Sequence, residues 1–145
     1  MDEAYREYFT FMGQLGELLE QLTELEKEKT AAVRRDDLLT VDNCMKREQA
    51  MSLSLRAMDR KRDTLLGGLG LKDTPLSELA HHCPEELRQE AKAASEKLSD
   101  QYKLYRSAAD VARTTLECNL HQIERLLDEG TGVPADGGSF ADIRA

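Results

Sequence analysis

Apolar residues along this chain fall into narrow stripes spaced alternately three and four apart, the period that gathers side chains on one side of a helix. A first run sets Leu15, Leu18, Leu22, Leu25, Ala32 and Val33 on such a stripe. A second sets Val41, Met45, Met51, Leu55, Met58, Leu65 and Leu69. Between them stands a charged break, Arg34-Arg35-Asp36-Asp37, where the chain is expected to fold back on itself. A third run carries Leu87, Ala91, Ala94, Leu98, Tyr102, Tyr105, Ala109, Ala112, Leu116, Ile123 and Leu126. Its middle is rich in Ala, which lets helices approach closely. No strand alternation competes with these patterns.

Pro and Gly punctuate the runs. Pro75, Pro84 and Pro134 fall between or beyond them, and seven of the nine glycines lie in Gly67–Gly70 or from Gly130 onward. The expected helices cover about residues 3–34, 37–67, 75–82 and 84–129. Asp36 or Asp37 can cap the second helix, Gly67-Gly68 is expected to stop it, and Thr74-Pro75 suits the start of the short one. Gly13 and Gly16 weaken the first helix by up to ~1 kcal/mol each relative to Ala. Gly130–Ala145 holds four glycines and a proline, so a disordered C-terminal tail is expected over residues 130–145. The expected fold class is all-α, an elongated antiparallel bundle of three long helices plus one short connecting helix. At 1.5 Å per residue the first two long helices span roughly 45–50 Å and the last roughly 65–70 Å. One end of the last helix must therefore overhang, self-associate or bind something else.

Composition narrows the function. The chain has 145 residues, 40% apolar, 33% charged and 5% aromatic, which suits long helices with a thin core. A formal net charge of -8 argues against nucleic acid or an anionic membrane as the partner. No apolar run is long enough to span a bilayer, and Met1–Glu7 shows no signal-peptide pattern. Cys44, Cys83 and Cys118 are scattered and odd in number, as reduced thiols are, so the expected location is cytoplasmic.

Candidate chemistry is sparse. His81-His82-Cys83 lacks the i, i+4 ligand spacing of a helical metal site. His121 on a long helix invites a phosphotransfer reading, but Gln122-Ile123-Glu124-Arg125 offers neither the Lys nor the small residue a phosphoryl group needs. Pairs such as Glu24 with Lys27 and Glu26 with Lys29 are expected to keep outer faces soluble. The expectation is no enzyme, no cofactor and no metal. Two apolar features remain. Tyr5, Tyr8, Phe9, Phe11 and Met12 crowd the N-terminus, where packing is the first reading and a docking patch the second. Leu116, Leu120, Ile123, Leu126 and Leu127 widen the stripe at the end of the third run, as a helix-in-groove site requires. Bundle closure or a homodimer seam would produce the same pattern. Within that band Leu116, Leu120, Ile123 and Leu127 are the expected partner-binding residues, with Tyr5, Tyr8, Phe9 and Met12 as the second candidate.

In the order of its elements the chain resembles the FlgN family of bacterial flagellar export chaperones. The resemblance is carried by Leu18-Leu19, Leu22 and Leu25-Glu26-Lys27-Glu28-Lys29, then Asp37-Leu38-Leu39, Lys46-Arg47-Glu48-Gln49 and Arg62-Asp63-Thr64-Leu65-Leu66 with Leu69-Gly70. Asn119, Ile123 and Leu127 fit the family's last helix, and Ser139-Phe140-Ala141-Asp142-Ile143-Arg144-Ala145 looks like the ending of some members. The resemblance implies a cytosolic chaperone that holds the helical C-terminal segments of hook–filament junction proteins and delivers them to the export gate. A tail aromatic would contact the gate, and here that aromatic is Phe140, with no Tyr in the tail. The alternative is a structural or adaptor coiled coil acting through self-association.

Overall fold

The computed structural model describes residues 2–130, and 91% of it is helical, with no strand among the described residues. Helix α1 spans Asp2–Arg34, α2 Leu38–Gly68, the short α3 Leu79–His82 and α4 Arg88–Gly130, with 3₁₀ turns at Leu76–Glu78 and Glu85–Leu87. The fold is the expected all-α bundle of three long helices and one short one. α1 is its centre and packs against both α2 and α4. It supplies most of the core, burying Tyr8, Phe11, Met12, Leu15, Leu19, Leu22 and Leu25 almost completely.

Direction follows from which residues meet. Lys29 of α1 reaches Glu48 of α2, while Lys61 of α2 lies 5.7 Å from the ring centre of Phe11, so α2 runs antiparallel to α1. Glu20 accepts a bond from Gln101, and Asp36, just past the end of α1, one from Asn119, so α4 runs parallel to α1. The path is therefore up, down and up again.

The two ends of α2 are built differently. At its start the Asp37 carboxylate accepts from the Thr40 amide at 3.2 Å, which satisfies an otherwise orphaned helix N–H. Asp36 takes a left-handed φ of 56°, a conformation that Asp tolerates better than most residues. At the other end Gly67-Gly68 does not stop α2 as expected. The helix runs through both, and the reversal comes at Gly70 with φ 71°. The Leu71 amide returns to the Leu66 carbonyl at 2.9 Å and the Gly70 amide to Gly67 at 3.1 Å, a Schellman closure. The short helix also differs from expectation. Pro75 is extended and no side chain caps the turn that follows it, so Thr74 does not serve as the cap.

The connection between α2 and α4 seals the end of the bundle where α1 begins. Leu71, Leu79, Cys83 and Leu87 are buried there in one cluster with Tyr5, Tyr8, Phe9, Phe11 and Met12. The Tyr5 hydroxyl donates to the His82 carbonyl at 3.1 Å, tying the first turn of α1 to α3.

Candidate docking surface at the open end

Among the described residues no such plug covers the opposite end. Ala32, Val33 and Val41 form a small buried cluster beneath the α1–α2 turn, with Met45 and Leu116 packed against it. Leu116 is thus the last α4 residue seated in the hairpin's core. One turn further on, Asn119 Nδ2 donates to Asp36 Oδ1 at 3.3 Å, which fixes the level of the turn against α4. α1 ends at Arg34, whereas α4 continues to Gly130. The expected length mismatch therefore falls at the C-terminal end of α4.

The four expected binding residues split at this level. Leu116 and Leu120 are partly buried. Ile123 is 43% exposed and Leu127 38%, and both lie beyond the turn. Leu126, at 68%, lies on the flank of the same band, because three residues turn a helix by about 300° and so leave it about 60° from Ile123. The second candidate patch lies at the sealed end. Tyr5, Tyr8, Phe9 and Met12 are between 2% and 8% exposed, so the structure places them in the core. Phe140 lies outside the described residues.

Beneath the open end sits a polar cluster that the sequence reading placed outside. Lys29 Nζ lies 2.5 Å from Glu48 Oε2 and 3.1 Å from Glu26 Oε2, and all three side chains are buried. Burial, then the contact with Glu48, pushes the Glu26 carboxyl up to about 8, with Lys29 pulling it back. Burial opposes the charge of Lys29, but its bond to Glu48 and the charge of Glu26 prevail and its pKa is raised. Burial, followed by the charges of Glu26 and Glu48, pushes Tyr105 up to about 12. The signal was present in the spacing. Leu22, Glu26, Lys29 and Val33 follow the same four-three-four stripe as the core, and Val41, Cys44, Glu48 and Met51 match it on α2. A wholly outward Glu26–Lys29 pair is therefore incorrect; Glu24–Lys27 at 3.5 Å is the exposed pair.

The His and Cys residues are not gathered into a cluster among the described residues. His81, His82 and His121 are exposed, and no group of three metal-ligating side chains occurs among the described residues. Burial raises the thiols of Cys44 and Cys83, the opposite of what activates a nucleophile. No helix among the described residues is long and apolar enough to cross a membrane.

A bundle of this form, closed at one end and carrying an apolar helix past the other, is suited to holding a helical segment of another protein. Neither a curated protein nor a solved structure shows significant similarity to the chain. The family model described as FlgN protein matches residues 4–138, nearly the whole length. The chain belongs to the FlgN family of flagellar export chaperones.

Proposed function

We propose that this chain is a cytosolic chaperone that binds the helical C-terminal segments of hook–filament junction proteins and delivers them to the flagellar export gate. The observation that carries the reading is the apolar band of α4 running on past the hairpin turn. Leu116 anchors the band in the bundle, and Leu120, Ile123 and Leu127 present it to a client helix. Helix-in-groove recognition uses anchors three and four residues apart, as Leu116, Leu120, Ile123 and Leu127 are. Phe140 in the tail is the candidate gate contact. The family and the helical architecture support this reading; the named clients and the gate are its proposals.

Ile123→Asp tests it. A buried anchor of this size contributes about 2 kcal/mol or more, so capture of a hook–filament junction protein should fall roughly thirtyfold or more. Helicity by circular dichroism should be nearly unchanged. A variant that stays folded and still captures its client contradicts the placement of the site. Light scattering addresses self-association, because an obligate dimer that buries Ile123 would favour the adaptor reading.

A further inference from the structure

α1 and α4 run side by side and leave a groove of about 590 Å³ between them, lined by residues of these two helices. α4 contributes Leu104, Ala108 and Val111 to it, four and three residues apart on one helix face. Leu104 is 63% exposed and Val111 45%, so this wall is apolar and not covered by the described residues. The α1 wall is charged, and its charges are sorted by position. Arg34 and Lys27 stand toward the α1–α2 turn, and Glu24 and Glu20 follow farther from it. The Glu24–Lys27 pair, 3.5 Å apart, marks where the sign changes.

The chain itself carries a segment with the matching order. Beyond Gly130 come Asp136, Phe140, Asp142, Ile143 and Arg144. Running back along α4 from its end, that segment meets the basic part of the groove first and the acidic part last. Its two acids precede its base, which is the groove's own order with the signs reversed. Lengths agree as well. At 1.5 Å per residue Val111 lies about 29 Å back from Gly130 and Leu104 about 39 Å. At ~3.3–3.6 Å per extended residue, Phe140 reaches about 33–36 Å from Gly130 and Ile143 about 43–47 Å. Size decides against a separate molecule. Two exposed apolar side chains in a groove of this volume fall short of the ~1,000 Å² that a stable interface between free partners buries. A tethered segment needs less, because its short link holds it at an effective concentration of order mM. We propose that the groove between α1 and α4 receives the chain's own C-terminal segment. Phe140 lies over Val111 and Ala108, and Ile143 over Leu104. Asp136 meets Arg34, Asp142 meets Lys27 and Arg144 meets Glu24, exposed pairs that set register more than affinity. Docked there, Phe140 is withheld from other partners. If it is also the gate contact, release of the segment becomes a condition of delivery, and that consequence alone rests on the proposed function.

The test uses the full chain, which has no tryptophan, with Phe140→Trp as its single reporter. Acrylamide should quench that fluorescence several-fold less than it quenches a free peptide of residues 131–145 with the same substitution. Leu104→Asp should raise quenching to the peptide's level, whereas Leu53→Asp, at a leucine 65% exposed on α2, should not. Lys27→Glu should raise it in part, and adding Asp142→Lys should restore the protection. Leu104 and Lys27 are both exposed, so helicity should hold in each variant. Should Leu104→Asp lower it, Lys27→Glu and its rescue decide. A contact within one chain does not depend on concentration, so protection should be equal at about 1 μM and about 100 μM. Quenching equal to the peptide's overturns the docking. Protection that Leu104→Asp and Lys27→Glu both leave intact overturns the groove, and a failed rescue overturns the register. Protection that grows with concentration makes the occupant a second copy, and the inference wrong. Client capture enters none of these readings, so the Ile123→Asp result judges the proposed function separately.

Discussion

Gly13 and Gly16 lie three residues apart on α1 and differ in what a methyl group would meet. A Cβ at Gly13 finds nothing within 4 Å, while one at Gly16 would fall 2.1 Å from Gln101 Oε1. Gln101 also donates to Glu20 at 2.6 Å, so moving it disturbs a bond between α1 and α4. Gly13→Ala should therefore stabilise the protein by up to ~1 kcal/mol, the ordinary helix-propensity gain. Gly16→Ala should gain clearly less or lose stability, measured by urea unfolding of both variants. Equal gains would mean that Gln101 swings aside at no cost. The sequence showed both glycines as weak points in a helix. It did not distinguish them, because the difference lies in a side chain 85 positions away along the chain, Gln101 against Gly16.

At the scale of the helix pair, the buried Glu26, Lys29 and Glu48 join α1 to α2 just below the open end. One cation serves two carboxylates, and the raised pKa of Glu26 shows the cost of ionising both. An acid whose folded pKa is raised holds its proton in the folded state after the unfolded chain has released it. Its contribution is therefore fully present below about 4.5, the unfolded value, and is lost as pH rises through about 8. Glu26→Gln mimics the protonated form. Its melting temperature relative to the native chain should rise between about pH 5 and pH 9, and a constant difference would contradict the assignment. Lys29→Met strands the buried Glu48 carboxylate, with Glu26 largely protonated, and should cost about 3–5 kcal/mol near neutral pH, read from denaturant unfolding. The apolar stripe of α2 was legible in sequence, but its real interior was only partly so. Glu48 belongs to that interior, and charge alone had marked such residues as solvated. Stripe position is the better guide here, since Glu26 and Lys29 sit on the line that joins Leu22 to Val33.

At the scale of the molecule, one end is plugged and the other is left uncovered by the described residues. The plug explains why the N-terminal aromatic cluster serves the core. Tyr5, Tyr8, Phe9 and Phe11 close over Leu79, Cys83 and Leu87, a meeting of segments far apart in sequence. That meeting could not be read from periodicity, because Pro75 and Pro84 hide the path by which the connection returns across the bundle end. The overhang at the other end was legible from helix lengths alone, as was the three-helix architecture. Its exact level was not, since it depends on Asn119 meeting Asp36. The same asymmetry predicts opposite outcomes for two similar substitutions. Leu19→Asp, at a position 0% exposed, should unfold the bundle, while Ile123→Asp, at 43%, should not. Circular dichroism of the pair checks this, and loss of helicity in both would make the α4 band part of the core.

Hydrogen exchange of the full chain with and without a hook–filament junction client tests the central claim most directly. Binding should bring new protection over residues 116–127 of α4 and at the α1–α2 turn around residues 34–41. Protection gained instead over Tyr5–Met12 and α3, with the α4 end unchanged, would contradict it.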